Sequence, residues 1–285
     1  MAAFSTNTIK QRGAMLLAGF LLAACSSLSV DARIEKASTM ASQAGWQEHI
    51  LKTSAFDLRA YTNNKKPINR ELTVYIEGDG YAWVDGQFPS SDPTPLTPIA
   101  LGLALKQPGG AVAYLARPCQ YIGAGTNAAC TKSVWSDARF SQQVVTATSD
   151  GIDQLKAQTG VTKITLVGYS GGAAVALLVA AQRSDITQII TVAGNLDPHA
   201  WSKQLKLQPL TGSLDPVTAI NKTSHMPQVD FVGGKDRVVP AALTENFAKQ
   251  YPANQRPRII NEPDFGHVCC WAEQWPQLWI QATTQ

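Results

Sequence analysis

From residue 70 onward, short apolar and β-branched runs alternate with stretches of helical composition. The runs cover residues 72–76, 111–116, 164–167, 186–192, 229–232 and 258–260, and each predicts a strand. Between and after them, residues 140–158, 171–183 and 241–251 predict helices. Such alternation implies βαβ units and a mostly parallel sheet covered by helices on both faces. Residues 56–61 predict an early edge strand. Residues 271–280 predict a terminal amphipathic helix that turns Trp271, Trp275, Leu278 and Trp279 toward the sheet. Two inserts interrupt the pattern. Residues 77–110 are rich in Gly, Pro, Ser and Asp, and residues 194–228 are broken by Pro198, Pro209, Pro216 and Pro227, as in a short lid. Both inserts follow strand C-terminal ends, where open α/β sheets place their ligands.

The polarity of the first 50 residues is different. Lys10 and Arg12 precede an apolar run, Met15 to Ala24, of only ten residues. A membrane-spanning helix needs about 20, so the segment reads as a signal peptide over residues 1–24. It ends in Leu22-Ala23-Ala24-Cys25, which resembles the bacterial lipobox. That resemblance implies cleavage before Cys25, acylation of Cys25 with fatty chains such as palmitate, and attachment of the mature chain to a membrane. Ser26, rather than Asp, follows the cysteine, and by the same resemblance points to the outer membrane of a Gram-negative cell envelope. The polar stretch that follows predicts a tether, so residues 25–50 are read as lipidated cysteine plus tether and residues 51–285 as one domain.

Charge and cysteines narrow the function classes. The chain carries 24 Lys+Arg against 21 Asp+Glu; removing Lys10 and Arg12 with the leader leaves 22 against 21, a net +1. A balance so near neutral offers no basic patch for nucleic acid. In an exported chain the remaining Cys119, Cys130, Cys269 and Cys270 predict disulfides. Cys119 with Cys130 would close a short loop and leave a vicinal Cys269–Cys270 bridge; crossed pairings stay open. No Cys-x-x-Cys or histidine pair suggests a metal site.

The sharpest local signal is Gly168-Tyr169-Ser170-Gly171-Gly172, between a strand-like run and a helix-like one. Strand, tight turn and helix form the context of a nucleophile elbow, in which the helix start offers N–H groups to a developing anion. A serine hydroxyl needs a base. Of His49, His199, His225 and His267, only His267 follows both the serine and a credible acid. Asp236, in the turn after the run at 229–232, is the favoured acid, with Asp197 the runner-up and Asp264 too near His267 in sequence. The predicted oxyanion donors are the backbone N–H of Gly171 and, from the loop after the first confident strand, that of Asp79. This chemistry needs no metal and no organic cofactor. Tyr81, Trp83, Trp135 and Trp201 fall near predicted loops and are candidates to line an acyl or aryl pocket.

These residues resemble the α/β-hydrolase superfamily over roughly residues 56–283. Tyr75-Ile76-Glu77-Gly78-Asp79-Gly80, the strings at 116–121 and 193–197, and His267-Val268-Cys269-Cys270-Trp271 look like a poorly characterised bacterial branch. The resemblance implies an α/β-hydrolase fold and a serine hydrolase that cleaves acyl bonds, carboxylic esters first, in a small-molecule or lipid-like substrate. A peptidase, amidase or acyltransferase with the same triad remains open, as does a non-catalytic envelope lipoprotein. Glu77-Gly78 stands where many members have His-Gly.

Overall fold

A computed structural model describes residues 29–284 except Gln87. The expected signal peptide and Cys25 lie outside the described residues. In chain order the elements are α1 (Val30–Gln43), β1 (Gln47–Lys52), β2 (Asp57–Thr62), β3 (Glu71–Ile76), β4 (Trp83–Val84), β5 (Phe88–Pro89), α2 (Ile99–Lys106) and β6 (Ala111–Leu115). They continue with α3 (Gln142–Thr159), β7 (Lys163–Tyr169), α4 (Gly171–Ala180), β8 (Ile186–Val192), α5 (Pro198–Gln204), α6 (Ile220–Thr223), β9 (Gln228–Gly233), α7 (Ala241–Ala248), β10 (Arg258–Glu262) and α8 (Trp271–Thr283).

Eight strands form one sheet in the order β1-β2-β6-β3-β7-β8-β9-β10. The pairs β1–β2 and β2–β6 are antiparallel and every later pair is parallel. Strand periodicity sorts the apolar side chains onto two faces. Leu72, Val74 and Ile76 of β3, with Ala113 and Leu115 of β6, pack under α3 and α4. Tyr75, Tyr114, Val167 and Phe231 point the other way, toward α1, α2 and α8. Two polar ends of that second layer are joined: Trp275 Nε1 donates to Tyr75 Oη at 2.8 Å, and Tyr75 in turn donates to Gln107 Oε1 at 2.7 Å.

Three expectations are corrected. The stretch expected as a tether through residue 50 is folded from Ser29 on: α1 buries Arg33, Ala37 and Ala41 against α2, and β1 is the sheet edge. The spacing of those three residues is helical, but two are alanines, whose small side chains leave a faint sequence signal. Because β1 takes the edge, β2 lies one strand in. The insert at 77–110 is not wholly irregular: it holds the β4–β5 hairpin and α2, a helix apolar at every position but its last, Lys106, and so without a polar stripe to reveal it. The insert at 194–228 contains α5, one 3₁₀ turn and α6.

Cys119 and Cys130 are bonded, with Cα atoms 5.6 Å apart, and Cys269 is bonded to Cys270 across a cis peptide. Among the described residues no helix is long and apolar enough to cross a membrane.

Candidate active site

β7 ends at Tyr169, α4 begins at Gly171, and Ser170 between them has φ +50° and ψ −121°. A non-glycine residue held at positive φ costs of order 1–3 kcal/mol and persists only when its surroundings enforce it. Here the enforcement is close packing. A Cβ on Gly172 would lie 2.4 Å from the carbonyl oxygens of Ile76 and Glu77, and one on Gly171 would lie 2.0 Å from Asp79 Oδ1. Ser170 N donates to Val192 O at 2.9 Å and Asn195 N donates to Ser170 O at 3.0 Å, so the turn is pinned to β8 on both sides.

The structure brings Ser170, His267 and Asp236 together. His267 Nε2 is 2.9 Å from Ser170 Oγ, and His267 Nδ1 is 2.8 Å from Asp236 Oδ2. An ionised carboxylate only accepts, so Nδ1 carries the ring proton and Nε2 is left to accept from the serine hydroxyl. The other oxygen of Asp236 accepts from Val238 N at 2.8 Å and Val239 N at 2.9 Å, which fixes the buried carboxylate at the end of β9. The His267 loop is held by its own carbonyl, which accepts from Tyr169 Oη at 3.0 Å and Trp271 Nε1 at 3.1 Å.

The alternatives lie elsewhere. Asp197 caps α5, accepting from Ala200 N at 2.8 Å. Asp264 is exposed and pairs with Lys235 at 2.6 Å. His49 Nε2 meets Thr62 Oγ1 at the sheet edge, 2.8 Å away, and His199 belongs to α5. His225 lines a groove at the N-terminal ends of the strands, away from Ser170.

No hydrogen bond of the described residues uses the N–H of Gly171 or Asp79. The Asp79 side chain has a separate role. Its Oδ2 is 2.7 Å from Arg139 Nη1 and its Oδ1 is 3.4 Å from Arg117 Nη1. Arg117 also donates to the carbonyl of Arg139, and Arg139 Nε donates to Ser136 O at 2.6 Å. Two buried guanidiniums thus clamp one carboxylate against the start of α4. Burial outweighs the pull of Asp79 and leaves the Arg117 pKa lowered from its ordinary value, though a guanidinium starts so high that it keeps its charge. Neither arginine is visible as a site residue in the sequence, since 38 and 60 residues separate them from Asp79.

Glu77, at the position where His-Gly is common, is fully buried. Its Oε1 accepts from Gly78 N at 3.0 Å and Ala100 N at 3.2 Å, and its Oε2 from Tyr114 Oη at 3.1 Å. The carboxyl thereby ties the 77–80 loop to the first turn of α2. Burial pushes its pKa up to about 7, against the pull of those hydrogen bonds.

A cavity of about 680 Å³ opens over Ser170 and His267. Tyr81, Trp83, Leu96, Trp201, Val238 and Val268 supply its aromatic and apolar wall, with Trp201 Nε1 donating to Val238 O at 2.7 Å. Trp135 does not belong to it: it is buried behind the Arg117–Arg139 pair and donates to Ser90 O at 3.2 Å. Asn195 lines the cavity unforeseen, with a buried Oδ1 that has no hydrogen-bond partner. Among the described residues no group of three His, Cys, Asp or Glu side chains could hold a metal ion.

The family model for the alpha/beta hydrolase fold matches residues 41–211. No curated protein matches the sequence. Est1E from Butyrivibrio proteoclasticus superposes with a TM-score of 0.55 at 15% identity, covering 84% of this chain and 99% of its own. The Pyrococcus furiosus esterase Pf2001 gives 0.58 at 13% identity, over 85% and 91%. An alpha-beta serine hydrolase homologue from Coxiella burnetii gives 0.55 at 14% identity, over 83% and 95%. At these identities the likeness is one of fold.

Proposed function

The chain belongs to the alpha/beta hydrolase fold family, and from that premise we propose that it is a serine hydrolase cleaving carboxylic esters through an acyl-enzyme. The observation that carries this reading is the continuous relay from Ser170 Oγ through the His267 ring to Asp236, at 2.9 and 2.8 Å. Each distance is within reach of proton transfer or its orientation.

In the reaction Ser170 Oγ attacks the ester carbonyl carbon while its proton passes to His267 Nε2. Asp236, held by two backbone N–H groups, stabilises the imidazolium and fixes the ring tautomer. The tetrahedral oxyanion is stabilised by the N–H groups of Gly171 and Asp79. Collapse expels the alkoxide, which takes the proton from His267, and a water repeats the sequence on the acyl-serine. The arginine clamp on Asp79 keeps its carboxylate neutralised beside the place where negative charge develops. Without it, like-charge repulsion would oppose the transition state.

By the resemblance at Leu22-Ala23-Ala24-Cys25, we further propose that Cys25 is acylated and holds the enzyme at the outer membrane. A panel of p-nitrophenyl esters and amino-acid anilides tests the catalytic reading. Esters should turn over, anilides should be poor, and Ser170→Ala should be inactive on both. Ester turnover surviving in the alanine variant would refute it, and an anilide preference would shift it to an amidase.

A further inference from the structure

Eight large apolar side chains are exposed among the described residues, and three of them line one cavity. Leu96 (39% exposed), Val238 (47%) and Val268 (54%) line the cavity over Ser170. The β4–β5 hairpin, whose Trp83 also lines it, carries Phe88, 68% exposed, opposite Val84 on its outer face. Single exposed hydrophobics are ordinary; three from three separate segments around one opening, beside a hairpin that presents a fourth, form a patch that asks for an apolar partner.

The course of the N-terminus says which partner. The first turns of α1 run along the same wall. Lys36 Nζ donates to Leu96 O at 3.0 Å, Arg33 donates to Thr94 O, and the Arg33 guanidinium lies 5.6 Å from the centre of the Tyr81 ring, which lines the cavity. Cys25 is four residues before Ser29, the cap of α1. At roughly 3.3–3.6 Å per residue even a fully extended chain spans only about 14 Å over that interval. Acyl chains on Cys25 therefore hold this face, and not the far edge of the sheet, close to the lipid.

We propose that the mouth of the Ser170 cavity docks on a phospholipid bilayer, and that the esters it takes are amphiphiles drawn from that surface. The substrate class rests on the hydrolase reading, and the orientation rests on acylation of Cys25. Phe88, Leu96, Val238 and Val268 enter the interfacial layer as the second apolar contact beside the anchor, a combination that binds more durably than one acyl chain. An acyl tail then passes from lipid to the Trp83–Trp201 wall without crossing water.

The test uses the full chain on vesicles of phosphatidylethanolamine and phosphatidylglycerol. A bimane label is placed at Phe88→Cys or, at the opposite edge of the sheet, at Gln255→Cys, and nitroxide lipids serve as quenchers. Quenching at 88 should exceed that at 255 by roughly threefold or more. Equal quenching, quenching at 255 alone, or none at 88 in vesicle-bound protein would overturn the orientation. Failure of the chain to associate with vesicles would overturn docking altogether. In parallel, Phe88→Asp should leave turnover of a soluble short-chain ester unchanged and lower hydrolysis of a vesicle-borne ester by about fivefold or more; unchanged vesicle hydrolysis would count against the proposal. The mass of the N-terminal peptide reports acylation separately. Quenching at 88 in an unacylated chain would remove the anchor reading and leave docking standing. Quenching without fluorophosphonate labelling of Ser170 would fault only the hydrolase reading.

Discussion

Both edges of the sheet open into a cavity. The one at the strand C-terminal ends holds about 680 Å³ around Ser170, and the one at the N-terminal ends holds about 860 Å³ among Glu71, Gln188, Arg256 and Arg258. The larger one is chemically quiet. Glu71 Oε1 accepts from Thr165 Oγ1 at 2.6 Å and also from Thr187, while Gln188 Nε2 donates to Ala282 O at 2.8 Å, so its polar groups serve one another. At the smaller one the local rules are broken: Ser170 sits at positive φ, Asn195 Oδ1 is buried without a partner, and two arginines converge on one carboxylate. Volume does not separate the two edges. What separates them is that at the smaller one these features surround a nucleophile within reach of a base, and such features survive only where the surrounding fold over-determines them.

Substitutions at the two edges should accordingly differ by orders of magnitude. The largest effect belongs to His267→Ala, which removes the proton carrier. Its kcat/KM on a soluble ester should fall by ~10⁴-fold or more with the fold intact by circular dichroism. Next comes Arg139→Leu. Asp79 would keep only the longer contact to Arg117, so kcat should drop by about 10²-fold and denaturant stability by about 3 kcal/mol. A fall in stability without a fall in kcat would reduce the clamp to a structural element.

Glu77→Gln should act through pH. In the unfolded chain Glu77 titrates at an ordinary value of 4.5 and in the native protein at about 7. Between those values the native state binds more protons than the unfolded one, so stability falls as pH rises across that window. Relative to the glutamine variant, the native protein should lose on the order of 3 kcal/mol between pH 4.5 and 7, read from urea melts at each pH. Parallel stability curves for the two proteins would show that Glu77 is not the buried titrating group. The smallest effect is expected at the quiet edge, where Arg256→Ala should change stability by no more than about 0.5 kcal/mol and ester turnover by less than about twofold.

The same contrast explains what could be read from the chain. β8 runs from Ile186 to Val192, as its β-branched pattern predicts, and Ser170, Asp236 and His267 are legible because each follows a strand-like run in a fixed order. The features that make the site unusual are not local. Arg117 and Arg139 join Asp79 only because β3 and β6 are neighbours and the loop after β6 folds back over them. Asn195 and Glu77 become informative only once burial is known. The loop setting of Trp135 groups it with the pocket aromatics, but the Cys119–Cys130 loop and the segment after it fold inward and bury it. Helix α1 escaped the pattern for a related reason: its buried stripe includes an arginine, whose guanidinium reaches the 94–96 segment.

Peptide mapping after treatment with a fluorophosphonate tests the convergence of Ser170, His267 and Asp236 most directly. A single adduct on the peptide containing Ser170, formed slowly or not at all in His267→Ala, is the expected result. An adduct on a different serine, or undiminished labelling without His267, would contradict it.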